Sequence, residues 1–152
     1  VGDRRVCERR PLGRVKPALA ISQHTTRADL RARLLPKAPR IDPAELVELG
    51  ERYARATGYP IQYQWTLLAG INDSEEQVEA IVRLLAGKYA MMNFIPYNAN
   101  EGFGFRRPAR EHASKLAGML HQRGIGARLR DSAGQDVEGG CGQLRARAAE
   151  FA

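Results

Sequence analysis

Short apolar segments alternate with longer amphipathic segments along most of this chain. Residues 18–21, 61–68, 91–95 and 125–129 have the length and the apolar, branched or aromatic composition of buried strands. Between them, apolar residues recur at helical spacing, as in residues 30–35, 46–53, 78–85 and 116–120. Alternation of this kind is typical of right-handed βαβ units in a parallel sheet. The sequence therefore predicts an α/β fold with about four parallel strands and covering helices, either an open sheet or one side of a barrel.

Capping signals mark the ends of several predicted helices. Asp42 and Pro43 fit the N-cap and first-turn positions of a helix that Gly58 would end. The next helix begins with a capping box in one of two registers, residues 73 and 76 or residues 74 and 77. Pro108 and Gly124 bracket the last predicted helix.

The charge of the chain indicates a polyanionic partner. Its 152 residues include 24 Lys and Arg against 17 Asp and Glu, for a net charge of +7. Guanidinium groups pair well with phosphates, so RNA is a candidate partner, although a solvated surface would have the same composition. Basic residues crowd into residues 1–16, which we expect to form a basic loop, either flexible or in contact with phosphates. Residues 17–144 would form the α/β part and residues 145–152 a C-terminal tail.

Two cysteines, Cys7 and Cys141, lie near opposite ends of the chain. Two cysteines alone cannot complete a zinc or iron–sulfur site, so we assign no metal ligand in this chain. No apolar run approaches the ~20 residues of a membrane helix, and the first residues do not resemble a signal peptide. We therefore expect a cytoplasmic protein with reduced thiols and no membrane partner.

Polar residues follow each predicted strand, at residues 22–26, 70–73, 96–100 and 139–143. Because the carboxyl ends of parallel strands meet at one edge of a sheet, these segments should lie together. Ordinary explanations exist for several of them: Asn72 and Asp73 fit helix caps, and Ser22 and His24 could satisfy backbone groups. Cys141, flanked by glycines, is more typical of a functional thiol than of a buried structural cysteine.

Four of these segments resemble motifs of one protein family, in the same order and at suitable spacing. ALAISQH at residues 18–24 resembles a strand ending in S-L-H, and GIND at residues 70–73 resembles G-V-N-D. NFIPYN at residues 93–98 is similar to N-x-I-P-[YW]-N, and CGQL at residues 141–144 matches the C-G-Q-L that bears a reactive cysteine. Over residues 17–144 the chain thus resembles the radical-SAM adenine RNA methyltransferases of the RlmN/Cfr family. They act on large-subunit ribosomal RNA and, in some members, on transfer RNA.

The resemblance implies that the chain is the C-terminal portion of a radical-SAM (β/α) barrel. It places Ser22, Gln23, His24 and Asn98 where the family contacts S-adenosylmethionine, and Cys141 at the methyl-carrying cysteine. In the family, one S-adenosylmethionine methylates this cysteine by nucleophilic displacement. A second is reductively cleaved at a 4Fe–4S cluster, and the resulting radical takes hydrogen from the methyl group, whose carbon then adds to the adenine ring.

The chain also departs from the family pattern. The C-x-x-x-C-x-x-C cluster motif and the resolving cysteine belong to the family's N-terminal half, and Cys7 matches neither. Gln23 stands in place of the usual leucine, while Ala133 and Gln135 stand in place of an arginine and an aspartate on the approach to Cys141. We therefore expect this chain alone to be inactive.

Two other functions remain open at this point. The first is a non-catalytic basic RNA-binding module that has kept the fold. The second is an unrelated α/β-barrel enzyme that uses Cys141 as a plain nucleophile, with His24 as the only candidate base.

Overall fold

Four parallel strands form a single sheet in the computed structural model, which describes residues 3–9, 13–98 and 103–130. The strands are β1 Ala20–Ser22, β2 Ile61–Leu67, β3 Ala90–Pro96 and β4 Gly126–Leu129, and they lie side by side in chain order. The helices are α1 Arg4–Arg9, α2 Ala28–Leu34, α3 Pro43–Thr57, α4 Glu75–Leu85 and α5 Arg110–Gln122. The predicted α/β class with four parallel strands is confirmed, because each buried apolar run became a strand of this sheet.

The main core lies between the sheet and helices α3, α4 and α5. Trp65 on β2 and Phe94 on β3 are fully buried there and meet edge to face, with ring centroids 6.2 Å apart. A second, smaller cluster joins α2 to the segments that follow β2 and β3. It consists of buried apolar residues, namely Leu30, Leu34, Leu35, Leu68, Tyr97 and Phe105. This cluster anchors α2 beside the carboxyl ends of the strands.

The predicted caps of α3 are confirmed, whereas the predicted capping box of α4 is only half formed, because Gln77 Oε1 has no partner among the described residues. The Asp42 carboxylate accepts a 2.8 Å hydrogen bond from the backbone N–H of Ala44 at the start of α3, and Gly58 ends that helix at φ +78°. At the start of α4, the hydroxyl of Ser74 accepts a 3.2 Å bond from the N–H of Gln77. The capping register is therefore 74 with 77.

The prediction that residues 1–16 form a loop is wrong for residues 4–9, which form helix α1. Asp3 begins this helix, since its carboxylate accepts a 2.9 Å bond from the N–H of Arg5. The helix lies against α3, where Cys7 is buried and Arg4 pairs with Glu45 at 2.6 Å. A six-residue helix is unstable alone, so this contact with a distant part of the chain explains its formation.

The helices in the described part of the chain lack the length and apolar character needed to cross a membrane.

Candidate functional site

The turn after β1 is buried and held in an unusual backbone conformation. Ser22, Gln23, His24 and Thr25 are each at most 8% exposed. The N–H groups of Gln23 and His24 both donate to the carbonyl of Gln64 on β2, at 2.9 and 3.3 Å. His24 has a φ of +59°, a left-handed conformation that is uncommon for residues other than glycine. Such a conformation persists only where surrounding contacts hold it, and it occurs often at functional sites.

The side chain of Asn72 supplies those contacts. Its amide nitrogen donates to the carbonyls of His24 and Thr66, both at 2.8 Å, and its amide oxygen accepts from the N–H of Leu68 at 2.7 Å. The expectation that Asn72 caps a helix is therefore wrong, because all its side-chain bonds go to the ends of β1 and β2. Asp73 is not the cap either, since its carboxylate accepts from the N–H of Gly70 at 2.8 Å.

His24 is a neutral imidazole with a defined tautomer. Burial, followed by the positive charge of Arg31, lowers the pKa of His24 to about 3. The Nδ1 atom accepts a 2.9 Å hydrogen bond from the N–H of Thr66, so the proton of the neutral ring is on Nε2. This Nε2–H group is buried and has no hydrogen-bond partner among the described residues.

Gln23 presents a buried acceptor in the same turn. Its amide nitrogen donates to the carbonyl of Thr25 at 3.1 Å, while its Oε1 atom is buried without a partner among the described residues. Buried polar groups in proteins are nearly always hydrogen-bonded, and leaving one unbonded is unfavourable by about 1–3 kcal/mol. Among the described residues, this turn thus leaves one buried donor, on His24, and one buried acceptor, on Gln23, without a hydrogen-bond partner.

The predicted site residues are distributed around the ends of β1 and β3. Ser22, Gln23 and His24 follow β1, and Asn98 is buried two residues after β3, with β2 between the two strands. The N–H of Tyr97 donates to the carbonyl of Leu67 at 3.1 Å, which ties the end of β3 to that of β2. These four predicted contacts therefore share one edge of the sheet. Cys141, with its loop, lies outside the described residues.

Arg31 on α2 is a site residue that the sequence analysis did not identify. It is only 3% exposed, and one of its terminal nitrogens donates to the carbonyl of Ser22 at 3.2 Å. The available signal was an arginine next to Leu30 on the helix face that is otherwise apolar.

Three or more His, Cys, Asp or Glu side chains do not come together as a metal site anywhere in residues 3–9, 13–98 and 103–130.

Known proteins similar to this chain are much longer than it is. A protein from Aromatoleum aromaticum named probable RNA methyltransferase is 73% identical over 147 residues, which cover 97% of this chain and 42% of that protein. One of the same name from an Azoarcus species is 71% identical with the same coverage. The crystal structure of a radical SAM methyltransferase from Sphaerobacter thermophilus superimposes with a TM-score of 0.86 at 35% identity, covering 95% of this chain and 42% of that one.

No family model matches the chain. As the coverage of the Aromatoleum and Sphaerobacter proteins shows, the chain spans about two fifths of the length of these relatives. Over nearly all its residues it is similar to a part of proteins named probable RNA methyltransferases, and it has the fold of the corresponding part of a radical SAM methyltransferase.

Proposed function

We propose that this chain is the C-terminal portion of a radical-SAM RNA methyltransferase of the RlmN/Cfr family. Its substrate would be an adenine carbon of ribosomal RNA, or of transfer RNA as in some members, and Cys141 would carry the methyl group. The single observation that carries this proposal is the buried Nε2–H group of His24 at the end of β1, which has no hydrogen-bond partner among the described residues. The likeness to named RNA methyltransferases and to a radical SAM methyltransferase supports the reaction class.

The polar atoms of this edge suit S-adenosylmethionine. That molecule has acceptors in its carboxylate, ribose and adenine, which the Nε2–H group of His24 could bind. Its ammonium and hydroxyl groups could donate a hydrogen bond to Gln23 Oε1. A neutral histidine also avoids repulsion of the positively charged sulfonium, and the low pKa keeps His24 neutral. Ser22 and Asn98 would provide further polar contacts from the ends of β1 and β3.

A 4Fe–4S cluster does not fit the residues of this chain. Such a cluster takes three or four cysteine thiolates, whereas the chain has only Cys7 and Cys141. Cys7 is also buried on α1, which raises the pKa of its thiol and disfavours the thiolate that binds metal. A cluster that supplies the electron for reductive cleavage would therefore be held by residues outside these 152.

The geometry argues against a simple Cys141 nucleophile with His24 as its base. The lone pair on Nδ1 already accepts the N–H of Thr66, and Nε2 carries the proton. The ring therefore has no free lone pair with which to deprotonate a thiol, and its low pKa makes it a weak base.

The decisive experiment compares the protein as its natural coding sequence supplies it, rather than the 152-residue chain alone, with its Cys141→Ala variant in cells that lack the natural gene. Methylated adenosines in ribosomal and transfer RNA are measured by mass spectrometry, and RNA affinity is measured on the purified proteins. We expect the parent to restore a methylated adenosine, the variant to lose it entirely, and both to bind RNA equally.

Cys7→Ala serves as the matched control, because it also removes one thiol but from the buried α1 position. It should methylate normally. If the Cys141→Ala variant still methylates, the methyl-cysteine role is wrong. If the parent binds RNA without methylating it, the protein is the non-catalytic RNA-binding module instead.

A further inference from the structure

Arg31 is a buried cation without an acidic partner among the residues that the structure describes. It is 3% exposed, and its two terminal nitrogens reach only neutral carbonyl oxygens, Ser22 at 3.2 Å and Pro39 at 3.4 Å. Within the described ranges, its Nε–H group is buried without a partner, and no carboxylate forms an ion pair with it. A buried charge is normally paired with an opposite charge, and the described residues supply no counter-ion for this guanidinium.

Arg31 lines a groove that could hold an anion. The groove has a volume of about 210 Å³ and lies between α2 and the start of α3. Its walls include Ala32, Leu35 and Pro39, and a second cation, Arg40, is exposed at its rim. A phosphate group with a few waters fits in this space, since one water takes up about 30 Å³ in the liquid.

The charges around the groove favour an anion. Residues 27–42 contain five basic side chains and two acidic side chains, a net charge of +3, and the residues that line the groove carry +1 from Arg31, Arg40 and Asp42. The other acidic residue, Asp29, is paired with Arg27 at 2.6 Å. Asp42 also lines the groove, but its carboxylate accepts the N–H of Ala44 as the cap of α3. The cationic charge of the groove is therefore only partly offset.

We propose that this groove binds a phosphate group of the RNA substrate, with Arg31 as the buried ligand and Arg40 as the ligand at the rim. Arginine suits this role because its planar guanidinium donates parallel hydrogen bonds to phosphate oxygens. Arg31 also donates to the carbonyl of Ser22, so a phosphate bound by Arg31 would be linked through this guanidinium to the turn that carries Gln23 and His24. The identity of the phosphate as RNA rests on the proposed function, whereas phosphate binding by the groove does not.

The first test uses inorganic phosphate and the protein as its natural coding sequence supplies it. Phosphate is titrated at constant ionic strength against chloride and followed by ³¹P NMR line broadening. We expect saturable binding that Arg40→Gln weakens about tenfold, the effect of one charge-assisted hydrogen bond. Lys37→Gln is the matched control, because it removes one exposed positive charge from the same segment without touching the groove. Arg31→Lys keeps the positive charge but loses the planar guanidinium that donates two parallel hydrogen bonds. It should weaken phosphate binding at least as much as Arg40→Gln.

The second test measures RNA affinity over a range of salt concentrations. Loss of one phosphate contact lowers the slope of log K against log salt by about 0.7–0.9, so Arg40→Gln should show this change and Lys37→Gln should not. If the parent binds inorganic phosphate in this groove but not RNA, the proposed function fails and the phosphate site stands. If the parent does not bind phosphate, or if Arg40→Gln and Lys37→Gln behave alike in both tests, the proposal is overturned and the groove accepts some other group.

Discussion

His24 combines three properties that each depend on a different neighbour. Asn72 holds its carbonyl and thereby the left-handed backbone, Thr66 occupies Nδ1, and burial near Arg31 keeps the ring neutral. The outcome is an uncharged N–H donor whose position is set by the ends of β1 and β2. A histidine in this state offers a neutral N–H donor and does not transfer protons at neutral pH.

The low pKa of His24 predicts a loss of stability in acid. In the unfolded chain, His24 has a pKa of about 6.5 and is protonated below that pH. In the folded chain, its pKa is about 3, so it stays neutral until the pH falls to that value. The free energy of unfolding should therefore fall with decreasing pH in this window, by up to roughly 1.4 kcal/mol per pH unit. Urea denaturation between pH 7 and pH 4 measures the slope.

The His24→Asn variant should have a shallower slope, since it removes the titrating group. His121→Asn is the control, because His121 is exposed on α5. Equal slopes for the parent and the His24 variant would show that another group controls the acid sensitivity.

A comparison of leucine variants at Gln23 and Gln77 distinguishes the loss of a ligand contact from the general effect of removing a buried polar side chain. Both have a buried Oε1 without a partner among the described residues, but Gln77 lies on α4 and Gln23 at the end of β1. Replacing either by leucine should leave stability within about 1 kcal/mol or raise it, because an unbonded buried acceptor is removed. Only Gln23→Leu should weaken S-adenosylmethionine binding, by about fivefold to tenfold, as measured by calorimetry. Equal affinities for the two variants would remove Gln23 from the site.

Helix α3 approaches β2 closely because Gly50 faces the ring of Tyr63. A Cβ atom at position 50 would collide with the Tyr63 hydroxyl and would lie 3.3 Å from Ile61 Cγ1. Tyr63 is fully buried, and its hydroxyl lies where a side chain on α3 would otherwise be. The pair therefore sets the distance between this helix and the sheet, and with it the position of Asp42 at the helix start.

Gly50→Ala should destabilise the protein by about 1–3 kcal/mol, since the added methyl overfills a packed contact. Tyr63→Phe removes the colliding atom, so the double variant should recover part of the loss. Gly118→Ala on α5 is the matched control: nothing lies within 4 Å of its added Cβ, and it should stabilise by about 0.5–1 kcal/mol. Denaturation midpoints of the parent, the two single variants and the double variant measure this cycle. No recovery in the double variant would mean that the Tyr63 hydroxyl is not the atom that opposes the added methyl group.

The described part of the molecule contains a four-stranded sheet in which β1 and β4 are the outer strands. The proposed ligand contacts come from β1 and β3, and the proposed phosphate groove opens beside α2, next to β1. The proposed S-adenosylmethionine contacts and the proposed phosphate contact would therefore lie on neighbouring parts of the carboxyl end of the sheet. The cluster needed for radical chemistry has no ligand set within these 152 residues.

We therefore expect the 152-residue chain alone not to cleave S-adenosylmethionine. After anaerobic reconstitution with iron, sulfide and a reductant, it should show neither the absorption of a 4Fe–4S cluster nor formation of 5′-deoxyadenosine. A longer product of the coding sequence that contains C-x-x-x-C-x-x-C is the positive control. Deoxyadenosine from the short chain would mean that Cys7 and Cys141 take part in a cluster after all.

Much of the fold and part of the site could be predicted from the sequence, because the relevant signals are local. Strand and helix periodicity extends over fewer than about 18 residues, and the caps at Asp42 and Ser74 involve partners two and three positions away. Once the strands are parallel, their carboxyl ends must share one edge, so the location of Ser22, His24 and Asn98 at that edge also followed from the sequence. The ligand roles of these residues were implied by the family resemblance and remain proposals.

The tertiary structure alone decided the features that join distant positions. Asn72 contacts the carbonyl of a residue 48 positions away, and Thr66 selects the tautomer of a histidine 42 positions away. Helix α1 forms against α3, where Arg4 meets a partner 41 positions along the chain. Burial of Arg31 likewise results from the packing of α2 on the strand ends. Local sequence patterns do not encode such contacts, because burial and hydrogen-bond partners depend on which segments the completed fold brings together.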